Sequence, residues 1–164
     1  MKKGYVRQGK IDDAVELAPK MRAADVLEIK RSDNTSPLEA LLTPFTMKKS
    51  KTYSIISENE EVIGMFGSTF TDLPGYGTAW MLCSEELFEY TIQFLRECPY
   101  WVQEMGKEYD YLFNFVDKEN VVALRWLKYL GFTEDKEIAE YGAGKTPFIF
   151  VLKTMDKEAQ QCVM

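Results

Sequence analysis

The segment from Tyr111 to Phe132, which reads YLFNFVDKENVVALRWLKYLGF, constrains the fold of this chain more than any other. It opens with the apolar stretch Leu112 to Val116, which is typical of a buried strand. A polar break follows at residues 117–120, and a short amphipathic helix then runs to Gly131. The segment therefore predicts a strand, a helix cap, a helix and a glycine stop within about 20 residues.

Apolar periodicity and turn residues predict the other elements. A first strand at Tyr5–Arg7 precedes a helical stretch from Ile11 to Ile29, which Pro19 is expected to kink or split. Further strands are predicted at Thr52–Ser57, Val62–Thr71 and Thr78–Cys83, helices at Ser36–Pro44 and from a Ser84 cap past Pro99 toward Gly106, and a last hairpin at Glu134–Tyr141 and Pro147–Lys153.

The length of 164 residues suits one domain, and 46% of the residues are apolar. We assign residues 1–154 to this domain and residues 155–164 to a polar C-terminal tail. The chain has three widely spaced cysteines and no histidine. This pattern excludes imidazole metal sites and Ser-His-Asp triads, and it favours a reducing, cytoplasmic setting. No carboxylate cluster has metal-loop spacing, so no metal is expected.

Charge and hydropathy limit the partners. The formal net charge is −6 and the pI is about 4.9, which disfavours nucleic acid. No apolar run approaches the ~20 residues that span a bilayer, so no membrane association is expected. The segment AEYGAGKT at residues 139–146 fits a loose phosphate-loop pattern, but the strand-like FIFVL follows it. A hairpin turn is the favoured interpretation.

The predicted order of elements, together with the segment from Asn120 to Phe132, resembles the Gcn5-related N-acetyltransferase (GNAT) family. Asn120, Ala123, Gly131 and Phe132 match the family's Asn-x-x-Ala-x-x-x-Tyr-x-x-x-Gly-Phe pattern. The resemblance covers about residues 6–153. It implies an α/β fold with a single domain, in which helices flank a mixed, mostly antiparallel sheet. It also implies that Asn120 caps the helix.

Two departures from the family pattern concern the acyl-CoA site. Family members hold the diphosphate with a glycine-rich loop after the fourth strand, whereas this chain has no glycine between Gly77 and Gly106 and carries Glu85 and Glu86 instead. Two carboxylates repel an anion by roughly 1 kcal/mol per pair in solvent. The family's acid tyrosine is replaced by Leu127, and Tyr129 points elsewhere on the helix.

A narrower resemblance is to the GNAT-like internal virion proteins of podophages, which also lack the glycine loop. It depends on Trp80, the Ser84 helix start and the RWLK segment at residues 125–128. It implies a phage protein that acts through protein contacts, in virion assembly or against a host factor. The setting would then be the host cell cytoplasm or the virion.

Two hypotheses follow. In the first, the chain is a GNAT-fold protein with a degenerate acyl-CoA site, no expected cofactor and a protein partner of unknown identity. In the second, it is an acetyl-CoA-dependent N-acetyltransferase that works mainly by proximity. The resemblance then implies that Leu82, Cys83 and Ser84 hold the pantetheine arm, that Asn120 touches the cofactor, and that Glu85 or Tyr129 is the acid or base. The oligomeric state is not indicated.

Overall fold

A computed structural model describes residues 2–156 and places seven strands in one sheet, ordered β1–β2–β3–β4–β5–β7–β6. Strands β1 to β4 are antiparallel neighbours, β5 runs parallel to β4, and β7 pairs antiparallel with both β5 and β6. The predicted single-domain α/β fold is therefore confirmed. The strands are β1 (Tyr5–Gln8), β2 (Lys51–Ile56), β3 (Val62–Phe70), β4 (Tyr76–Cys83), β5 (Tyr111–Asp117), β6 (Thr133–Tyr141) and β7 (Thr146–Thr154).

The first predicted helix is split in two. Pro19 lies in a short 3₁₀ segment (Ala18–Lys20) between α1 (Ile11–Leu17) and α2 (Ala23–Ser32), because its ring is incompatible with a continuous helix interior. The predicted end of this helical stretch at Ile29 was wrong, since α2 runs to Ser32. Helix α3 (Pro37–Thr46) begins at the Ser36 cap, whose side chain accepts a hydrogen bond from the Glu39 amide at 3.2 Å.

The chain after β4 forms a 3₁₀ helix (Glu85–Tyr90) and then α4 (Thr91–Gly106), which continues through Pro99. Ser84 stands at the N-cap position of the 3₁₀ helix, as predicted, but its side chain makes no capping hydrogen bond, because its hydroxyl donates to the Ile63 carbonyl at 3.2 Å. The last helix, α5 (Val121–Tyr129), ends before Gly131, whose φ of 93° is readily adopted only by glycine.

Two hydrophobic clusters cover opposite faces of the sheet. One joins α4 and α5 to the strands through residues such as Val102, Leu112 and Ile149. The other joins α1–α3 to β2–β4 through residues such as Leu17, Met65 and Leu82. The helices therefore cover one face along much of its width and the other face only over its first half.

The C-terminal end of the described chain is partly buried in the hydrophobic core. Met155, which the sequence prediction counted with the tail, is 4% exposed and donates its amide to the Asp110 carbonyl at 2.8 Å. The rest of the predicted tail, residues 157–164, lies outside the described residues, as does Cys162. No helix within residues 2–156 is both long and apolar enough to cross a bilayer.

Candidate functional site

The candidate site lies where β4 and β5 separate. Residues 76–78 of β4 pair in parallel with residues 111–113 of β5. Beyond these residues, β4 continues to Cys83 and β5 continues to Asp117 without pairing with each other. The two strand ends therefore diverge and leave an opening in the middle of the sheet. Backbone groups that face the opening have lost their ladder partners and require others, since buried unpaired amides are costly.

On the β4 side of the opening, both backbone groups of Cys83 bind the segment around α2. The Cys83 amide donates to Asp25 Oδ2 at 3.1 Å, and the Cys83 carbonyl accepts from the Arg22 amide at 2.8 Å. An antiparallel bridge between Met21 and Ser84 extends this contact. The edge of β4 is therefore occupied by the chain itself.

On the β5 side, side chains also satisfy the backbone. The Asp117 amide donates to Glu28 Oε1 at 2.8 Å, and the Phe115 amide donates to Asn114 Oδ1 at 2.7 Å. Asp25 and Glu28 are three residues apart, so both project from one face of α2. The Asp25 side chain bonds to β4, and the Glu28 side chain bonds to β5.

A buried polar network links these groups. The Arg22 guanidinium donates to Asp25 Oδ1 at 2.6 Å and to Asn120 Oδ1 at 3.0 Å. The Asn120 amide nitrogen lies 3.4 Å from both Asp25 Oδ1 and Glu28 Oε1. Arg22, Asp25 and Asn120 are 7%, 3% and 3% exposed. Because its members satisfy one another, the network fixes α2 and the start of α5 against the opening.

Burial controls the protonation of these acids. It raises the pKa of Glu28 from 4.5 to about 7; the charges of Asp25 and Asp117 add to this rise, and the hydrogen bond from the Asp117 amide opposes it. Burial also raises the pKa of Asp25, against the attraction of the Arg22 guanidinium. The half-buried Glu28 carboxyl therefore exchanges its proton near neutral pH.

Below the opening, a cavity of about 130 Å³ lies between the sheet and helices α4 and α5. Its wall is mostly apolar, with Arg22, Asp25, Glu28, Asn114 and Asn120 among its polar members. Among the described residues, no group of cysteines and carboxylates is arranged to hold a metal ion. The cavity therefore combines an apolar body with the acids and amides of the opening.

Aromatic side chains bridge the two helices beside this cavity. The Trp126 ring on α5 lies 5.6 Å from the Phe88 ring and 5.0 Å from the Phe94 ring, centre to centre. The Arg22 guanidinium lies over the Phe88 ring, 5.8 Å from the ring centre. The rings span the space between the chain after β4 and the helix after β5.

The structure brings together only some of the residues that the sequence indicated. Cys83 and Asn120 both line the cavity. Asn120 stands at the N-cap position of α5, as predicted, but its side chain makes no capping hydrogen bond and bonds to the network instead. Ser84 is buried, and Leu82 belongs to the α1–α3 cluster.

Glu85 and Tyr129 are exposed, Tyr129 by 61%, and neither lines the cavity. Burial raises the pKa of the Cys83 thiol, so this sulfur is not poised as a nucleophile. The phosphate-loop pattern is the β6–β7 turn, as expected: the Gly144 amide donates to the Arg31 carbonyl at 2.8 Å.

Sequence reasoning missed Arg22, Asp25 and Glu28. The only local signal was a pair of acids three residues apart in a helix, and such pairs are usually solvated. Their role depends on Cys83, Asp117 and Asn120, which lie far away in sequence. No local sequence pattern could indicate that these two groups of residues lie close together in the fold.

Comparisons with known proteins agree with the fold. No protein-family profile matches the chain, and no curated protein sequence matches it. A GCN5-related N-acetyltransferase from Kribbella flavida superposes with a TM-score of 0.67 at 15% identity, over 93% of this chain and 98% of that one.

Two further structures are similar. Spermidine N-acetyltransferase from Vibrio cholerae, solved with CoA and spermine, has a TM-score of 0.69 at 12% identity and covers 95% and 98% of the two chains. Ribosomal-protein-S18-alanine N-acetyltransferase from Escherichia coli has a TM-score of 0.67 at 10% identity, over 94% and 95%. The chain therefore has the GNAT fold. None of these three is a virion protein, so the podophage resemblance stays a prediction.

Proposed function

We propose that this protein is a GNAT-fold protein whose acyl-CoA site is filled by its own side chains and which acts through protein contacts. One observation carries the proposal: the Cys83 amide, on the strand edge that would hold a pantetheine arm, donates to Asp25. A ligand that took this amide would leave Asp25 Oδ2 without its donor, while the bond from Arg22 to Oδ1 would remain. Leaving a buried acceptor unsatisfied typically costs about 1–3 kcal/mol, and more when the acceptor is charged.

Two other features support the same proposal. The contacts of Trp126 with Phe88 and Phe94 join α5 to the chain after β4 beside the cavity, so a ligand arm that passed between them would have to separate the rings. The exposed Glu85 and half-buried Glu86 stand at the helix start where a diphosphate would need backbone amides and flexible glycine. Both features support an acyl-CoA site that the chain itself occupies.

The podophage resemblance suggests a setting for these contacts. We propose particle assembly or the binding of a host factor, in the host cell cytoplasm or the virion. The net charge of −6 favours a partner with a basic surface over an acidic one.

Calorimetric titration with acetyl-CoA tests the proposal. We expect no binding heat up to about millimolar ligand, whereas micromolar binding would refute the filled site. Thermal unfolding with the same ligand is an independent check, since ligand at a hundred times its Kd adds about 2.7 kcal/mol of stability. The spermidine N-acetyltransferase from Vibrio cholerae, solved with CoA, is a positive control.

One observation favours a second candidate, acetyl-CoA-dependent N-acetyl transfer. Glu28 lines the cavity, and its pKa of about 7 is that of an effective general base at neutral pH. Release of free CoA from acetyl-CoA in the presence of spermidine tests this candidate. Turnover that is lost in Glu28→Gln and kept in Glu140→Gln, an exposed control, would favour it over the filled site.

A further inference from the structure

Part of the sheet face on the α1–α3 side is left without a helix. On this face, aromatic side chains of β4, β5, β7 and β6 follow one another without interruption. We call this set the aromatic face; it consists of Tyr76, Tyr111, Phe113, Phe115, Phe150 and Tyr141. The register places it opposite the cluster under α4 and α5, because Leu112, Val116 and Val151 point the other way.

Ring contacts make the aromatic face one surface. Tyr76 stacks on Tyr111 at 4.7 Å between ring centres, and Phe113 lies 5.8 Å from Phe150. Phe115 lies 5.2 Å from Phe150 and stacks on Tyr141 at 4.7 Å. All these side chains are only half-buried, and none belongs to either hydrophobic cluster. Contiguous aromatic surface that is only partly covered is typical of protein interfaces.

Carboxylates stand at one end of this surface. The Ala143 amide donates to the Ser32 carbonyl at 3.0 Å, which places the end of α2 and the following Asp33 beside the β6–β7 turn and Tyr141. Burial raises the pKa of Tyr141, and the charges of Asp33 and Glu28 add to this rise. Within residues 2–156, no lysine or arginine forms an ion pair with either carboxylate, whereas the neighbouring Asp117 and Glu119 are both paired with Arg31. Asp33, an exposed acid with no such ion pair beside aromatic rings, complements a cation.

We propose that the aromatic face is the docking surface for a basic, extended segment of a partner protein, which lays apolar side chains on Phe113, Phe115 and Phe150 and a lysine or arginine beside Asp33. This inference rests on the proposed function, because it names the surface and the chemistry of the protein contact. Met155 packs beside Gly106 of α4, on the face opposite the aromatic face.

Titration of ¹⁵N-labelled protein with a blocked pentapeptide of alternating lysine and leucine tests the proposal. We expect saturable shifts of the β5 and β7 amides, and none with the matched glutamate–leucine peptide. Phe113→Thr should weaken binding about tenfold, the effect of losing an interface anchor. Phe70→Thr, another exposed strand phenylalanine, should leave binding unchanged.

Asp33→Asn tests the charge without touching the packing, because Asp33 is exposed. It should weaken the lysine peptide about two- to threefold at low salt, and added salt should abolish that difference. Equal binding of the two peptides, no binding at millimolar peptide, or shifts confined to α4 and α5 would each overturn the proposal. So would protein dilution that alone moves the β5 and β7 signals, because a second copy would then cover the face.

The two proposals fail in different ways. Acetyl-CoA binding at micromolar concentration would overturn the filled site whatever the peptides do. Absence of peptide binding together with silence toward acetyl-CoA would overturn the docking surface and leave the filled site standing.

Discussion

The substitution Glu28→Gln tests whether α2 truly inserts an acid between the separated strands. Glutamine keeps an oxygen that can accept the hydrogen bond from the Asp117 amide, and it removes the ionisation of the carboxyl. The ionised form is the costly one, since burial and the charges of Asp25 and Asp117 raise the pKa of Glu28. The variant should therefore be more stable than the natural protein wherever Glu28 is ionised.

The size and the sign of this stability difference follow from proton linkage. Below pH 4.5 the carboxyl is protonated in the folded and unfolded states alike. As the pH rises from 4.5 to about 7, the unfolded chain releases this proton first, so the folded protein loses up to about 3 kcal/mol of stability. Glu28 is half-buried, and solvent screening reduces the expected loss to about 2 kcal/mol.

Urea denaturation followed by circular dichroism measures the difference. Between about pH 5.5 and about pH 8.5, the stability of Glu28→Gln should rise relative to the natural protein by about 1 kcal/mol, because part of the loss is already complete at pH 5.5. Glu140→Gln, at an exposed position of β6, should show no such change. A difference that does not depend on pH, or a variant that is less stable at high pH, would refute the buried position of this carboxyl.

Three other outcomes are expected. Gly67→Ala should prevent folding or cost more than about 3 kcal/mol, because its new Cβ would collide with the Lys51 carbonyl oxygen. Gly64→Ala meets side-chain atoms at 3.1 and 3.3 Å and should cost about 1 kcal/mol in the same urea assay. Cys83 and Cys98 are buried with raised pKa values, so peptide mass spectrometry should find them alkylated by iodoacetamide at neutral pH only after denaturation; rapid native labelling would contradict their burial. Trp126→Ala should cost about 3 kcal/mol, and an unchanged urea midpoint would show that its ring does not bridge the helices.

The elements that the sequence predicted correctly are those with a strong local pattern. The strand, helix and glycine stop between Tyr111 and Phe132 appear where expected, as does the meander of β2 to β4. The wrong predictions concern element ends and the hydrogen bonds of caps. Ser84 and Asn120 have cap-like side chains, but the fold offers each of them stronger partners, Ile63 for the first and Arg22 for the second.

The sequence by itself determined the succession of strands and helices and the lack of a glycine loop after β4, since both are properties of neighbouring residues. Only the tertiary structure decided what stands in the opening between β4 and β5. Arg22 and Asn120 are 98 residues apart, and the aromatic face is assembled from four strands. A carboxylate in a helix has the same local pattern whether it faces solvent or a strand edge, and its chemistry is set by the distant groups that the fold places beside it.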